Sequence, residues 1–343
     1  MKSFRRQASD ALGDKLNAQL ERDLDRDARR SHMSEAELFS FAEFHAEDAE
    51  RGGYSNYSYW RSTLRAFFRN KTAVFFLCLM VFTLLFTYIQ PLLPGQKDPL
   101  FIHNGDYGIP LQNVPPGPEF WFGTNSIGQD LWARIWAGTR TSLYIGFTVA
   151  VVEAVVGILA GVLWGYVRAL DFFFTELYNV LDNIPQTLLL ILISYILKPG
   201  VNTIIFAMSL TGWLGMARFI RNQIIIIRDR DYNLASRCLG SSTGRIITRN
   251  LLPYLVSVIT LRMALAIPGA IGSEVFVTYI GIGLPLDTPS LGNLIQTGRG
   301  LMTAAPLRYQ LIFPVAVLAV ITISFYIIGN SFADAADPKN HVN

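Results

Sequence analysis

The sequence is poor in the residues that carry catalysis and metal binding. Its only two cysteines, Cys78 in an apolar run and Cys238 in a polar one, provide neither a disulfide framework nor the paired spacing of a zinc site. The nucleotide and catalytic patterns GxxxxGK[ST], HExxH, GxSxG and GxGxxG do not occur in a suitable context. Four histidines are scattered over the chain: His32, His45, His103 and His341. If ATP drives this protein, another chain must bind it.

Charge is also scarce. Of 343 residues only 16% are charged, whereas 51% are hydrophobic and the mean hydropathy is +0.32. Soluble domains carry about 25% charged residues, so this composition predicts a membrane protein. A net charge of +3 is too small to indicate nucleic acid as a partner. The first 58 residues are charged and lack the apolar core of a cleavable signal peptide, so we expect them to stay in the cytoplasm.

Six apolar runs are long enough for a ~30 Å hydrocarbon core, which takes about 20 helical residues. They cover residues 73–92, 141–167, 174–197, 201–227, 255–280 and 311–332. We therefore predict an all-α polytopic membrane protein with six transmembrane helices. Before the first span, residues 59–72 form a basic, amphipathic pattern typical of a helix that lies along the membrane surface.

The distribution of basic residues predicts the orientation. The connection between the fourth and fifth spans holds Arg218, Arg221, Arg228, Arg230, Arg237, Arg245 and Arg249. The long loops assigned to the outside hold Lys97, Arg134, Arg140, Arg299 and Arg308. Because basic residues favour the cytoplasmic side, this connection is predicted to be cytoplasmic, and an even number of spans places both termini there.

The predicted organisation follows from these runs. A charged cytoplasmic tail (1–58) precedes the interfacial helix (59–72) and the first span (73–93). An extracellular loop with an amphipathic helix (94–140) then leads to a core of five spans (141–332) and a cytoplasmic tail (333–343).

Two spans are interrupted, and one has a face of small residues. Asp182, Asn183 and Pro185 break the third span, which is tolerated where neighbours or water satisfy the freed backbone groups. In the fifth span Pro268, followed by Gly269 and Gly272, predicts a kink and close helix approach. Gly157, Gly161 and Gly165 recur every four residues in the second span and predict a helix-packing face.

Three ionisable residues lie inside apolar spans: Glu153, Arg262 and Glu274. A charged group at a span centre costs about 2.5–3.5 kcal/mol on insertion scales, so we expect these side chains to face protein or water. Glu153 and Arg262 both fall near mid-depth, and one hypothesis is that they pair. The alternatives are that each is satisfied separately within the bundle, or that Glu153 or Glu274 relays protons.

Residues 231–253, DYNLASRCLGSSTGRIITRNLLP, form a polar, basic insertion between two apolar runs. Gly240 follows one short helical run and Pro253 is expected to end a second, which predicts two helices joined by a Gly/Ser turn. Such a unit can dock into a cleft on a partner.

Several motifs together resemble those of the permease subunits of ABC importers for oligopeptides and dipeptides, specifically the C-type subunit of the pair. They run in the family's order from about Trp60 to Pro338: WRSTLRAFFRNK, FGTNSIGQDLWARIWAGTRTSL, LDNIPQTLLL, DYNLASRCLGSSTGRIITRNLLP, YIGIGLPLDTPSLGNLI and GNSFADAADP. The resemblance implies the type I importer permease fold with cytoplasmic coupling helices.

The resemblance also implies which residues contact the ATPase, because the fourth motif looks like the family's EAA loop. These are Asp231, Tyr232, Leu234, Ala235, Ser236, Arg237, Leu239, Gly240, Ser241 and Pro253. Leu234 and Ser236 stand where the family has Glu and a second Ala. In the second motif the family's FGTD-x-x-GRD has lost an acid at Asn125 and a base at Gln129.

The family further implies partners: a B-type sister permease, two cytoplasmic ABC ATPase subunits, an extracellular peptide-binding protein and a peptide substrate, in the bacterial plasma membrane. This chain would be no enzyme and hold no cofactor, since ATP and Mg would bind the partner subunits. The alternatives are the same role for nickel, glutathione or another solute, a secondary transporter, a membrane enzyme and a purely structural subunit. The chain has no coupling-ion cluster, which counts against a secondary transporter, and no convergent catalytic groups, which counts against an enzyme. A structural subunit stays open, because alone the chain has no complete pathway.

Overall fold

The computed structural model describes residues 59–336. The predicted cytoplasmic tail of residues 1–58 lies outside the described residues, as does the part of the predicted C-terminal tail after residue 336. The first four residues of that tail, 333–336, belong to the last helix.

The described chain is mostly helical, and its α-helices are numbered here in chain order. They are α1 (Tyr59–Arg69), α2 (Lys71–Ile89), α3 (Leu131–Tyr166), α4 (Arg168–Asp182), α5 (Gln186–Leu197), α6 (Val201–Arg228), α7 (Asp231–Cys238), α8 (Thr243–Ile246), α9 (Leu252–Tyr279), α10 (Leu291–Arg299) and α11 (Tyr309–Ala336). Short 3₁₀ turns lie at Gln90–Leu92, Asp106–Gly108 and Ala305–Leu307, and a π-helical segment, Ile247–Leu251, joins α8 to α9.

The predicted all-α polytopic fold is confirmed. Five helical stretches of the described chain are long and apolar enough to cross a membrane: Lys71–Leu92, α3, α6, Val258–Tyr279 within α9, and α11. The remaining predicted span, the third in chain order, corresponds to the pair α4–α5. This pair bends by 76° at Asp182, Asn183 and Pro185. Pro185 has no N–H for a continuous helical ladder and disfavours helical geometry in the residue before it, so α4 ends and α5 begins anew.

The second span differs from its prediction. The expected outer amphipathic helix and the span from residue 141 form one helix, α3, of 36 residues. Asp130 caps it, because its carboxylate accepts a hydrogen bond from the Ala133 N–H at 3.1 Å. No proline follows within α3 to stop the helix, so the aromatic and arginine-bearing first turns run directly into the apolar part.

The predicted glycine face packs α3 against α6. A Cβ placed on Gly157 would lie 2.6 Å from Met216 Cβ, and one on Gly161 would lie 2.7 Å from Ile220 Cβ. Only a residue without a side chain allows this approach, which lets the two backbones pack closely along the C-terminal part of α3. Buried Ile220 and Ile224 continue the same contact into an apolar cluster.

The predicted close approach at Gly269 and Gly272 is wrong within this chain. A Cβ on either glycine would meet nothing within 4 Å, because both lie on the outward side of α9. The helix also continues through Pro268 from Leu252 to Tyr279.

The segment between α2 and α3 is closed by a pair of amides. Asn125 Nδ2 donates to Gln129 Oε1 at 3.0 Å, and the Gln129 N–H donates to Asn125 Oδ1 at 2.8 Å. Arg134 Nη1 also donates to Gln129 Oε1. The acid and base that the sequence lacks at these two positions are therefore replaced by two neutral groups that bond to each other. We call this pair the amide clasp.

Candidate coupling site

The insertion between α6 and α9 is a helix, a turn and a second helix, as predicted. The helix α7 ends at Cys238, and Gly240 adopts φ +79°, a left-handed conformation that favours glycine. The Gly240 N–H donates to Arg237 O at 2.9 Å and the Ser241 N–H to Ser236 O at 3.0 Å. These bonds satisfy carbonyls at the end of α7 and reverse the chain toward α8.

One buried side chain holds α7 on the bundle. Asn233 is fully buried, and its Nδ2 donates to Ile227 O in the last turn of α6 at 2.8 Å. Its Oδ1 accepts from Asn250 Nδ2 at 3.0 Å, and Asn250 also reaches Ser236 Oγ at 3.3 Å. Because Asn250 lies in the π segment, this network ties α7 to both the preceding and the following span.

A second set of contacts involves Arg237, one turn after Asn233 on α7. Arg237 Nη2 donates to Arg228 O at 3.0 Å, and Arg237 Nη1 lies 3.7 Å from Asp229 Oδ1. Arg228 Nη1 in turn donates to Gly165 O at 2.7 Å, at the end of α3. The Arg237 guanidinium stacks over the Tyr166 ring at 5.4 Å. The segment is thus fixed to α3 as well as to α6 and α9.

The other face of the segment is open. Tyr232 is 48% exposed, Leu234 43% and Leu239 86%, and Asp231, Ala235 and Gly240 are exposed beside them. Such exposed apolar side chains form a patch of the kind found on protein interaction surfaces. Leu234 lies within this open face and contributes apolar surface where the resemblance implies a carboxylate.

Pro253 does not end the second helix. The chain stays helical from α8 through the π segment into α9, and the Leu252 N–H bonds to Ile247 O, five residues back. Proline has no N–H and its ring would clash in a regular α-helix, so the wider π turn just before it accommodates the ring.

Of the three predicted intramembrane charges, Glu274 is satisfied within the bundle. It is fully buried; Ser142 Oγ on α3 donates to its Oε2 at 2.9 Å and Thr278 Oγ1 to its Oε1 at 3.1 Å. The Leu291 N–H at the start of α10 bonds to the same Ser142 hydroxyl at 3.2 Å. Glu274 therefore joins α3, α9 and α10, as expected for the alternative of separate satisfaction.

Glu153 and Arg262 lie on the walls of one cavity but do not form the hypothesised ion pair. Their charged atoms are not within 4.0 Å of each other, and Arg262 stacks over the Phe219 ring at 4.4 Å instead. The two residues lie at similar depth and line the same cavity, Glu153 from α3 and Arg262 from α9, but they form no ion pair across it.

Sequence reasoning missed Asn233, Asn250 and Ser142. The two asparagines lie in a polar segment, where their type is unremarkable, and only the meeting of three helix ends makes Asn233 a buried anchor. One signal is present, since Asn233 follows the end of the fourth span by about one turn.

These features define the class of the protein: a polytopic helical membrane protein with an anchored helix–turn–helix between two spans. Residues 154–342 match the family described as the binding-protein-dependent transport system inner membrane component. Residues 58–116 match the N-terminal TM domain of oligopeptide transport permease C. The chain belongs to the former family, which confirms the resemblance found in its motifs.

Curated relatives cover most of the chain. It is 37% identical over 286 residues to the oligopeptide transport system permease protein AmiD of Streptococcus pneumoniae, covering 83% of this chain and 91% of the relative. It is 32% identical to OppC, an oligopeptide transport system permease protein of Bacillus subtilis, over 88% of this chain and 97% of the relative. The dipeptide transport system permease protein DppC of Bacillus subtilis is also 32% identical, over 82% and 86%.

Among solved structures, a chain of the inward-facing MetNI methionine ABC transporter is similar at 20% identity and a TM-score of 0.47. The similarity covers 59% of this chain and 96% of that one.

Proposed function

We propose that this chain is the C-type permease subunit of an ATP-driven importer for oligopeptides or dipeptides. The relatives named as oligopeptide and dipeptide permeases support the substrate class. The observation that carries the coupling role is the segment 231–251, which is anchored to three spans on one side and exposes Tyr232, Leu234 and Leu239 on the other.

In this function one of two cytoplasmic ATPase subunits docks on the open face of α7 and the other docks on the sister permease, and ATP bound between the ATPases draws the two docked helices together. Because α7 is hydrogen-bonded to α6 and to the π segment, its displacement is passed to α6 and α9 as a rigid-body motion. ATP must bind one state of the transporter more tightly than the other for this to shift the equilibrium. This chain carries out no hydrolysis itself.

The remaining partners complete the pathway. A B-type sister permease forms the other half of it, and an extracellular peptide-binding protein delivers the peptide on the far side of the membrane. The seven arginines from Arg218 to Arg249, in the second half of α6 and in the segment after it, support a cytoplasmic position for the coupling segment, and with it for both termini, at the bacterial plasma membrane.

The test is reconstitution of the four-subunit complex in liposomes with its binding protein. Uptake of labelled peptide that requires ATP, and that is lost when this chain is omitted, is the expected result. Uptake of nickel or glutathione but not of peptide would assign the alternative cargo. Uptake driven by an ion gradient without ATP would contradict the proposal and identify a secondary transporter.

A further inference from the structure

A cavity of about 220 Å³ lies between α3, α6 and α9. Glu153 on α3 and Arg262 on α9 line it from different sides, and the Glu153 carboxylate rests against Gly212 on α6. A Cβ on Gly212 would clash with Glu153 Oε1, so the glycine provides the space in which this carboxylate sits.

Both charges are without a partner of opposite charge in the described chain. Glu153 neither accepts a hydrogen bond nor joins an ion pair there, and the Arg262 guanidinium stacks over the Phe219 ring without an ion pair. Unpaired charges within a span are costly in lipid and are retained where they meet water, a partner or a ligand. The two side chains therefore face something other than lipid.

The charges lie well inside the membrane. Glu153 is 13 residues from the end of α3 at Tyr166, which is about 20 Å at 1.5 Å per residue. Arg262 is ten residues from Leu252, or about 15 Å from the same end of the bundle. A solute that crosses the membrane beside this chain must pass this depth.

The rest of the lining is small or adaptable. Alanines and glycines, among them Ala150, Gly215 and Ala266, leave the cavity open, and Met216 and Met263 form apolar wall. Methionine is unbranched and polarizable, so it packs against side chains of many shapes and is common on promiscuous binding surfaces. Fixed opposite charges with a methionine wall suit a ligand with constant charged ends and variable side chains.

We propose that this cavity is a contact site for a short zwitterionic peptide during translocation. The Glu153 carboxylate binds the peptide's α-ammonium, the Arg262 guanidinium binds its carboxylate, and Met216 and Met263 contact its side chains. A dipeptide, whose ends are at most about 7 Å apart in the extended form, is the shortest peptide cargo that carries both end charges. A longer peptide engages one charge at a time. This assignment rests on the proposed function and adds to it the residues that bind the two charged ends of the peptide.

The test uses the complete complex in liposomes and compares four labelled cargoes: a dipeptide with free ends, its N-acetyl form, its C-amide form, and the doubly blocked form. For each variant the uptake rate of the free dipeptide is divided by that of a blocked form. The binding protein's own preference is the same throughout, so it cancels between variants. Glu176→Gln, an acid-to-amide change on α4 outside the cavity, is the matched control.

We expect Glu153→Gln to lower the free-to-N-acetyl ratio at least about tenfold while leaving the uptake of the N-acetyl form unchanged, because only a charge-assisted contact is lost. Arg262→Gln should lower the free-to-C-amide ratio in the same way. Glu153→Asp and Arg262→Lys, which keep the charge, should retain most of the discrimination, and Glu176→Gln should behave like wild type.

Equal losses for free and blocked peptides would overturn the assignment, and so would unchanged ratios. If the single variants fail to assemble and the charge-swapped double variant Glu153→Arg with Arg262→Glu restores assembly, the two groups serve each other and the assignment is also overturned. A wild-type complex that takes up no peptide would instead refute the proposed function, which keeps the two failures distinct.

Discussion

Replacing Asn233 by leucine is expected to uncouple ATP hydrolysis from transport. The substitution keeps the size of the side chain but removes the hydrogen bonds to Ile227 O at 2.8 Å and from Asn250 at 3.0 Å. Each lost bond contributes about 0.5–1.5 kcal/mol, and a buried group left unpaired costs about 1–3 kcal/mol. Asn250 keeps its weaker contact with Ser236, so we expect the anchored position of α7 to lose about 2–4 kcal/mol.

A loss of 2 kcal/mol raises the fraction of α7 that is detached from the bundle by about thirtyfold, at 1.4 kcal/mol for each factor of ten. The open face of α7 is unchanged, so the ATPases still bind. Their motion then moves α7 without moving α6 and α9. The measured quantity is the number of peptides transported per ATP hydrolysed in proteoliposomes, and Asn233→Leu should lower it while hydrolysis continues.

Two further variants sharpen this experiment. Thr248→Val, also a polar-to-apolar change in the segment, removes an exposed hydroxyl that bonds only within its own turn, and it should leave the ratio unchanged. The double variant Asn233→Leu with Asn250→Leu replaces both partners by apolar groups of similar shape and should recover part of the coupling. A normal ratio in the assembled Asn233→Leu complex would refute the anchoring role, and so would a double variant no better than the single one.

Three other outcomes are expected. Gly240 has φ +79°, which strains a residue with a side chain, and open space around it. The Gly240→Asp protein should therefore insert into the membrane normally but uncouple ATP hydrolysis from peptide uptake, and normal uptake would contradict the coupling assignment. Gly161→Ala should destabilise the chain by about 1–3 kcal/mol in thermal unfolding in detergent, whereas Gly215→Ala, which meets nothing within 4 Å, should not; equal stability would contradict the close α3–α6 packing. Burial and then Lys97 lower the pKa of His103, so the neutral form is favoured in the fold and stability should fall as pH drops below about 6.5, the pKa of the unfolded chain. Lower protection factors for residues 99–130 at pH 5.5 than at pH 7.5, obtained after correction for the intrinsic pH dependence of amide exchange and abolished in His103→Gln, would show this, and equal protection factors would count against it.

The sequence predicts the spans well because each depends on local composition. The run of apolar residues defines α2, α6 and α11, and Asp182, Asn183 and Pro185 together mark the bend between α4 and α5. The sequence predicts the start of the second span ten residues too late, because the first turns of α3 mix aromatic and charged residues, as an external helix does. Nothing in the sequence shows that the helix continues.

The environment of individual polar residues could not be predicted in this way. Glu153 and Arg262 were placed at similar depth, which is a one-dimensional property, whereas pairing depends on how far the cavity separates their helices. Asn233 became an anchor only because the end of α6 and the π segment meet at it. The depth of a residue in the membrane can be counted along its own helix, but its interaction partner depends on how several helices pack together.

The amide clasp between Asn125 and Gln129 has a consequence for the surroundings in which this transporter works. Ionic strength weakens contacts between exposed charges, and acid removes the charge of a carboxylate. Two primary amides have no charge to screen and no proton to gain over the range that a bacterium meets. The clasp therefore keeps its strength in high salt or in mild acid, whereas salt screens the contact between Lys97 and Asp130 in the same segment and acid protonates His103.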